Sequence, residues 1–187
     1  MNIVLIGMRG SGKTDIGQKI AEILSYNFFD LDGVITTALN KNITQIVKEE
    51  GWPHFREQEA KICKSISQEN NAIISTGGGI ILNEKNIENL KKNGLIILLN
   101  CDVDVLKNRL KKDKKNNQDR PTLIDKNPED EINKIWLERK EKYFNSADIV
   151  FDVSGESLDR HADIQAKAER IIALVKEKIA IGHLGAQ

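Results

Sequence analysis

The chain has 187 residues, with 28 Lys and Arg against 28 Asp and Glu, so its formal net charge at pH 7 is zero. This length is typical of one compact domain, and a hydrophobic content of 40% is enough for a sizeable core. A neutral chain has no general attraction for nucleic acid or anionic lipid, and no apolar run approaches the roughly 20 residues that cross a bilayer. We therefore predict a single domain over residues 1–187, with no nucleic-acid partner and no membrane partner.

The N-terminus and the cysteines predict a cytoplasmic protein. Residues 1–7 contain no basic segment or cleavage site of a secretory leader, and they run directly into an apolar strand. Cys63 and Cys101 lie far apart in the sequence without a CxxC partner. This pattern is typical of buried thiols in a reducing compartment and does not indicate a disulfide framework.

Short β-branched runs alternate with segments of helical period along the chain. This alternation is typical of βαβ units, so the sequence predicts an α/β fold with a parallel sheet covered on both faces. The predicted strands are Ile3–Ile6, Asn27–Leu31, Ala72–Thr76, Leu95–Leu99 and Ile149–Val153. The first helix is expected from about residue 13 to residue 25, because Ile16, Ile20, Ile23 and Leu24 recur at helical spacing.

Two later segments carry little that could be buried. The stretch from Lys111 to Pro121 is polar and charged, which predicts a mobile lid over about residues 111–125. Residues 181–187 follow a long predicted helix and are expected to be a disordered tail.

Residues 7–14, GMRGSGKT, match the phosphate-loop pattern GxxxxGK(S/T) between an apolar strand and an amphipathic helix. In such loops backbone N–H groups face a polyphosphate, the lysine reaches the β- and γ-phosphates, and the hydroxyl binds Mg²⁺. The expected nucleotide-binding residues are Gly10, Ser11, Gly12, Lys13, Thr14 and Asp15. The alternative is a glycine-rich turn without a ligand. The motif alone does not say whether the phosphate goes to water, a protein or a metabolite.

Asp30 and Asp32 follow the second predicted strand. In a strand register both carboxylates point the same way, so both can face a site at the carboxyl edge of the sheet. One could hold a metal-bound water while the other orients or deprotonates a substrate hydroxyl. The pair could equally be strand-end or helix-capping acids.

Two further groups suggest a second ligand. Arg56 and Glu59 stand three residues apart on a predicted helix, where they could also form an ordinary surface ion pair. Gly77, Gly78 and Gly79 follow an apolar strand directly. Three consecutive glycines are costly in conformational entropy, which indicates that a ligand or backbone must approach closely there.

In order and spacing these motifs resemble the shikimate kinase family, which comprises small P-loop kinases of the nucleoside-monophosphate-kinase fold. The resemblance runs from Asn2 to about Val153, and it includes Arg120 in the lid and Arg139 with Tyr143 in a later helix. It implies a three-layer fold with a five-stranded parallel sheet flanked by helices. It also implies transfer of the γ-phosphate of MgATP to the 3-hydroxyl of shikimate, on the route to chorismate and the aromatic amino acids.

The resemblance implies roles on the acceptor side of the site. Arg56 and Arg139 match two arginines that clamp the shikimate carboxylate, a geometry that suits guanidinium better than ammonium. Glu59 matches the acid that positions the first arginine. Gly78 and its two glycine neighbours match backbone that contacts the substrate.

The resemblance also implies the catalytic residues, which are Asp32, Lys13 and Arg120. Asp32 matches the acid that binds the ring hydroxyls and acts as the base for the attacking hydroxyl. Asp30 matches the acid that holds Mg²⁺ through water, beside Thr14. Arg120 matches a lid arginine that contacts the phosphates when the site closes.

Two stretches depart from the family pattern, both near the expected adenine. The lid begins with a lysine-rich run, residues 111–115, where the family often has an arginine. The loop at residues 154–160 lacks an arginine that stacks on the base in some members, and Arg160 is a shifted substitute.

Rival functions share the phosphate loop. They are a related kinase of gluconate or a nucleotide, and a nucleotide-dependent regulatory binder without acceptor chemistry. A monomer is expected, because no amphipathic helix is left without an intramolecular partner.

Overall fold

The computed structural model describes residues 1–112, 128–155 and 157–184. The strands in chain order are β1 (Asn2–Ile6), β2 (Asn27–Asp30), β3 (Ala72–Ser75), β4 (Gly94–Asn100) and β5 (Ile149–Asp152). The helices are α1 (Lys13–Leu24), α2 (Leu31–Leu39), α3 (Ile43–Ile66), α4 (Glu84–Lys92), α5 (Val103–Lys112), α6 (Pro128–Ser146) and α7 (Arg160–Leu184). A short 3₁₀ helix, Ile80–Leu82, precedes α4.

The strands form one parallel sheet in the order β2-β3-β1-β4-β5. In the central strand, Val4 pairs with Ile74 on one side and Ile96 on the other. All residues of β1 and β3 are buried, so helices cover both faces of the sheet. Over the described residues, the prediction of a five-stranded parallel sheet in an α/β fold is confirmed.

The carboxyl ends of the parallel strands meet at one edge of this sheet. Residues 7–14 follow β1 there, Asp30 ends β2, and the three glycines follow β3. In open α/β sheets ligands bind outside this edge, where neighbouring connections leave the sheet in opposite directions. The sequence motifs are therefore brought together by the topology.

The second strand ends one residue earlier than expected, and this difference affects the site. The second strand was expected to reach residue 31 with Asp32 in its register, but β2 ends at Asp30 and Asp32 lies in the first turn of α2. The cause is a helix cap, because Asp30 Oδ1 accepts the backbone N–H of Asp32 at 3.1 Å and of Gly33 at 3.4 Å. The helix-capping alternative therefore holds for Asp30.

A backbone bend orients the helix that carries the arginine and glutamate pair. Gly51 has φ of 83° inside α3, a conformation that glycine adopts without strain, and Pro53 begins the next turn. The segment after Gly51 therefore points in a new direction and brings Arg56 toward the carboxyl edge of the sheet.

The expected lid and tail fall mostly outside the described residues. Residues 111 and 112 of the lid end α5, and residues 113–125 lie outside the described ranges. Residues 181–184 of the expected tail continue α7 as helix, and residues 185–187 are not among those described. Across the described ranges, no helix combines the length and the apolar content that crossing a membrane requires.

Candidate active site

The loop between β1 and α1 has the backbone that its glycines predict. Gly7, Gly10 and Gly12 all have positive φ, at 146°, 83° and 89°. Gly12 caps α1 without any side-chain hydrogen bond to the first-turn N–H groups. Those N–H groups and the positive end of the helix therefore face the loop, which is the arrangement that binds phosphate.

Lys13 lies inside this loop, and its residue surface is 8% exposed. Its Nζ donates to the carbonyl oxygens of Gly7 at 3.0 Å and Met8 at 2.8 Å, and to Ser11 Oγ at 3.4 Å. The ammonium is thus held at the centre of the loop backbone, close to where the phosphates of a nucleotide would lie.

A hydroxyl and a carboxylate meet beside the loop. Thr14 Oγ1 donates to Asp30 Oδ2 at 2.9 Å, while the other oxygen of Asp30 caps α2. The cap fixes the carboxylate, so the two oxygens are set side by side. Hydroxyl and carboxylate oxygens next to a phosphate loop are ligands that suit Mg²⁺.

A cavity of about 850 Å³ extends from the phosphate loop along the carboxyl edge of the sheet. Asp30 and Asp32 both line it, so the structure brings the two carboxylates to one cavity, although not through the strand register from which this was expected. The opposite wall is formed by α5, by the segment after β5 and by the start of α7.

The three glycines after β3 each lie against a different part of the site. A Cβ built on Gly77 would lie 2.7 Å from Asp32 Oδ1. One on Gly78 would lie 3.5 Å from Gly7 O in the phosphate loop, and one on Gly79 would overlap the Arg56 guanidinium. The close approach expected from the sequence is therefore made by two charged side chains and by the phosphate loop.

Arg56 is held by a buried carboxylate. Its Nη1 lies 2.8 Å from each carboxylate oxygen of Glu59, whose residue surface is 1% exposed. Burial raises the pKa of Glu59 above its ordinary value, and the charge of Arg56 opposes that rise. This burial excludes the ordinary surface ion pair that the spacing alone allowed.

The second arginine comes from α6. Arg139 Nη1 donates to the carbonyl oxygen of Gly78 at 3.1 Å. Asp32 lies against Gly77 and Arg56 against Gly79, on either side of this glycine. The two arginines and two acids therefore form one cluster around the glycines.

Two basic residues that lie far from the predicted motifs, Arg109 and Lys167, also line the cavity. Arg109 donates to Val153 O at 2.8 Å and to Gly10 O at 3.4 Å, so it joins the end of β5 to the phosphate loop. Lys167, buried on α7, donates to Gly155 O at 2.6 Å. The i,i+4 spacing of Lys167 with Asp163, its ion-pair partner, was a visible signal.

Asp15 and Arg160, which the sequence places near the nucleotide, pair with each other. Arg160 Nη2 lies 2.7 Å from Asp15 Oδ2, and both residues line the cavity. The pair links the start of α1 to the start of α7 across the cavity wall. Arg120, the expected lid arginine, lies outside the described residues.

The parallel sheet, the loop at residues 7–14 and the charged cluster at the same edge of the sheet are the features of a P-loop kinase. The family model for shikimate kinase matches residues 9–176. The chain belongs to the shikimate kinase family, and the resemblance inferred from the motifs is confirmed.

Individual relatives match over most of their length. A shikimate kinase of Caldanaerobacter subterraneus subsp. tengcongensis is 37% identical over 162 residues, which are 87% of this chain and 92% of the relative. The structure of a shikimate kinase from Acinetobacter baumannii in complex with shikimate superimposes with a TM-score of 0.84 at 28% identity, over 94% of this chain and 93% of that one. A shikimate kinase structure from Bacteroides thetaiotaomicron gives the same TM-score of 0.84 at 31% identity, and the match covers 94% of this chain and 98% of that one.

Proposed function

We propose that this protein transfers the γ-phosphate of MgATP to the 3-hydroxyl of shikimate, forming shikimate 3-phosphate and ADP. The observation that carries the proposal is the glycine segment at residues 77–79. It contacts the phosphate loop through Gly78, the buried acid Asp32 through Gly77, and Arg56 through Gly79. A phosphate donor and a small anionic acceptor can therefore meet on the two sides of one segment.

On the donor side, the backbone of residues 7–14 and the end of α1 hold the phosphates. When the nucleotide binds, Lys13 gives up its hydrogen bonds to the loop carbonyls and contacts the β- and γ-phosphates instead. Its positive charge there stabilises the phosphoryl group during transfer. Arg109 and the Asp15–Arg160 pair border the remaining cavity, which takes the nucleoside. Arg120 is assigned a further phosphate contact from the family resemblance.

Thr14 and Asp30 are the residues that hold Mg²⁺ in this proposal. Their oxygens lie 2.9 Å apart beside the phosphate loop, and Mg²⁺ commonly binds one or two such protein ligands together with phosphates and water. When bound, the ion neutralises charge on the phosphate oxygens. Asp30 is already oriented by its cap on α2, so its carboxylate can bind Mg²⁺ without changing conformation.

On the acceptor side, Arg56 and Arg139 bind the carboxylate. Planar guanidinium groups recognise carboxylates through paired N–H bonds, and low exposure strengthens these bonds. Asp32 accepts a hydrogen bond from the attacking hydroxyl and takes its proton. Its burial, with a surface 7% exposed, keeps water from competing for the acceptor.

The rival acceptors are separated by one assay. We would measure ADP release from MgATP by the purified protein with shikimate, gluconate, a nucleoside monophosphate or no acceptor. Release that depends on shikimate is expected. Release with another acceptor would keep the kinase and change the substrate, whereas tight ATP binding without release under any condition would favour a regulatory binder.

We further propose a cytoplasmic monomer. Cys63 and Cys101 are both free and buried, which suits a reducing compartment. Each helix named above packs on another helix or strand of the same chain. Light scattering coupled to size-exclusion chromatography should give a mass near 21.1 kDa, and twice that mass would contradict the monomer.

Glu59→Gln should raise the KM for shikimate roughly tenfold, equivalent to about 1.4 kcal/mol, and change kcat little. The neutral amide cannot hold Arg56 as the carboxylate does. Because burial raises the pKa of Glu59, acidification protonates it at a higher pH than an ordinary glutamate. The shikimate KM of the unaltered protein should therefore rise as the pH falls and Glu59 becomes protonated. In Glu59→Gln this part of the pH dependence of KM should be absent.

The matched control for Glu59 is Glu57→Gln. Glu57 lies on the same helix, is exposed and pairs with Lys61 at 2.8 Å. Its substitution should leave the shikimate KM and its pH profile unchanged. If the profile of Glu59→Gln matches that of the unaltered protein, Glu59 does not position Arg56.

Gly79→Ala should raise the KM for shikimate by roughly 10- to 100-fold, the range expected when added bulk costs about 1–3 kcal/mol. The new methyl group would overlap the Arg56 guanidinium and displace it, while α3 itself need not move. Nucleotide affinity, measured by titration with a fluorescent ATP analogue, should be unchanged.

Gly155→Ala is the control for the glycine substitution, because a Cβ there meets nothing within 4 Å. It should leave both KM values unchanged. A normal shikimate KM in Gly79→Ala would show that Arg56 does not need its observed position.

A further inference from the structure

Tyr143 lies at the inner wall of the acceptor site, one turn after Arg139 on α6. It is fully buried, and its ring stacks on Trp136 with centroids 6.2 Å apart and planes 26° apart. Its hydroxyl donates to the carbonyl oxygen of Gly78 at 2.5 Å. The mechanism above gives this buried hydroxyl no role.

The Gly78 carbonyl is shared between two donors. Arg139 Nη1 donates to the same oxygen at 3.1 Å. A carbonyl oxygen has two lone pairs, so both bonds can form together. The tyrosine therefore fixes the atom against which Arg139 rests, and it does so with a rigid, buried ring.

Gly78 is also in contact with the phosphate loop. A Cβ built on it would lie 3.4 Å from Tyr143 Oη, 3.5 Å from Gly7 O and 3.6 Å from Arg9 N. The glycine is thus enclosed between α6 and the loop that holds the phosphates. Any shift of the Gly78 backbone away from α6 would change the separation of the two substrate sites.

The hydroxyl is well suited to act as a permanent donor. Burial raises the pKa of Tyr143 to about 12, although the nearby charge of Arg139 opposes the rise. The group therefore keeps its proton throughout the neutral range, and the Gly78 carbonyl keeps its second donor.

We infer that Tyr143 is a positioning residue for the acceptor, holding the Gly78 carbonyl so that Arg139 and the phosphate loop keep a fixed relation. The inference rests on the proposed function. It assigns Tyr143 no contact with either substrate and no part in proton transfer. Its effect reaches shikimate through Gly78 and Arg139.

The test is Tyr143→Phe, which removes the donor and keeps the ring that stacks on Trp136. We expect the KM for shikimate to rise roughly three- to tenfold, the range for loss of one ordinary hydrogen bond, while the KM for MgATP stays unchanged. A purely structural defect would lower the amount of folded enzyme, so kcat would fall and both KM values would stay the same. That pattern, or an unchanged shikimate KM, would overturn the inference.

The chain's second tyrosine supplies the control. Tyr26 is partly buried two residues after the end of α1, and Tyr26→Phe should leave both KM values unchanged. The unaltered protein is assayed alongside. If it shows no shikimate-dependent turnover, the proposed function fails, whereas normal turnover with an unaffected Tyr143→Phe overturns the positioning role alone.

A second measurement covers the case in which Tyr143→Phe does not fold. With Tyr26→Phe in place, incorporation of 3-fluorotyrosine labels Tyr143 alone, since the chain has two tyrosines. Addition of shikimate should shift its ¹⁹F resonance, because Arg139 shares the Gly78 carbonyl with the labelled ring. A resonance that shikimate leaves unchanged, in protein that turns shikimate over, would contradict the inference.

Discussion

Asp32→Asn is expected to lower kcat by roughly 10²- to 10⁴-fold, the usual contribution of a positioned general base. Asparagine has nearly the shape of aspartate, so the close contact with Gly77 and the first turn of α2 should persist. What is lost is an oxygen that can take the proton of the acceptor hydroxyl. The affinity for MgATP should stay near normal, because the phosphates are held by residues 7–14.

Steady-state turnover at saturating substrates, together with nucleotide titration, measures both effects. Asp104→Asn is the matched control, because Asp104 is an exposed acid in the first turn of α5. Both variants lose the interaction of a carboxylate with a helix N-terminus, worth about 0.3–1 kcal/mol. If Asp32→Asn retains full turnover, Asp32 is neither the base nor the group that orients the hydroxyl.

The sheet could be predicted from the sequence because each strand is a short apolar run, followed by a segment whose apolar residues recur at helical spacing. The signal is strong in strands that are buried on both faces, and every predicted strand ends within one residue of its expected position. The phosphate loop was equally predictable, since GMRGSGKT fixes both its backbone conformation and its neighbours in the fold.

The position of Asp32 was harder to predict. Asp32 could lie near the site either in a strand or in a helix, and the choice depends on the cap in which Asp30 accepts hydrogen bonds from the backbone N–H groups of Asp32 and Gly33. Local sequence does not reveal which cap will form, because a carboxylate at a strand end can serve either structure. Both acids line one cavity, but they reach it through a capped helix and not through the strand register used in the sequence argument.

Arg109 shows what depends on tertiary structure alone, because it belongs to no short motif and reaches the cavity only where α5 packs beside the end of β5. The i,i+4 spacing of Lys167 with Asp163 is visible in the sequence, but its place in the cavity depends on the packing of α7 beside the end of β5. The glycines at residues 77–79 are an intermediate case. Their spacing indicated a close approach, but only the folded chain reveals that Asp32, Arg56 and the phosphate loop are what approach.

Arg139→Ala is expected to raise the KM for shikimate by about 10²-fold, as expected if a desolvated charged pair worth about 2–3 kcal/mol is lost. Arg139 is partly buried, and Gly78 O orients its guanidinium toward the cluster with Arg56. The protein should still fold, because Tyr143 continues to donate to that carbonyl oxygen. Nucleotide affinity should be unchanged.

Two further variants separate charge from geometry at this position. Arg139→Lys keeps the charge but not the planar fork, so its KM should lie between those of the unaltered protein and of Arg139→Ala. Arg170→Ala is the control. It removes an exposed arginine of α7 that lies over the ring of Phe151 in β5, and it should leave the shikimate KM unchanged.

An unchanged shikimate KM in Arg139→Ala would show that the carboxylate of shikimate is bound elsewhere. Equal KM values for the lysine and alanine variants would show that the paired N–H geometry, and not the positive charge, accounts for the binding.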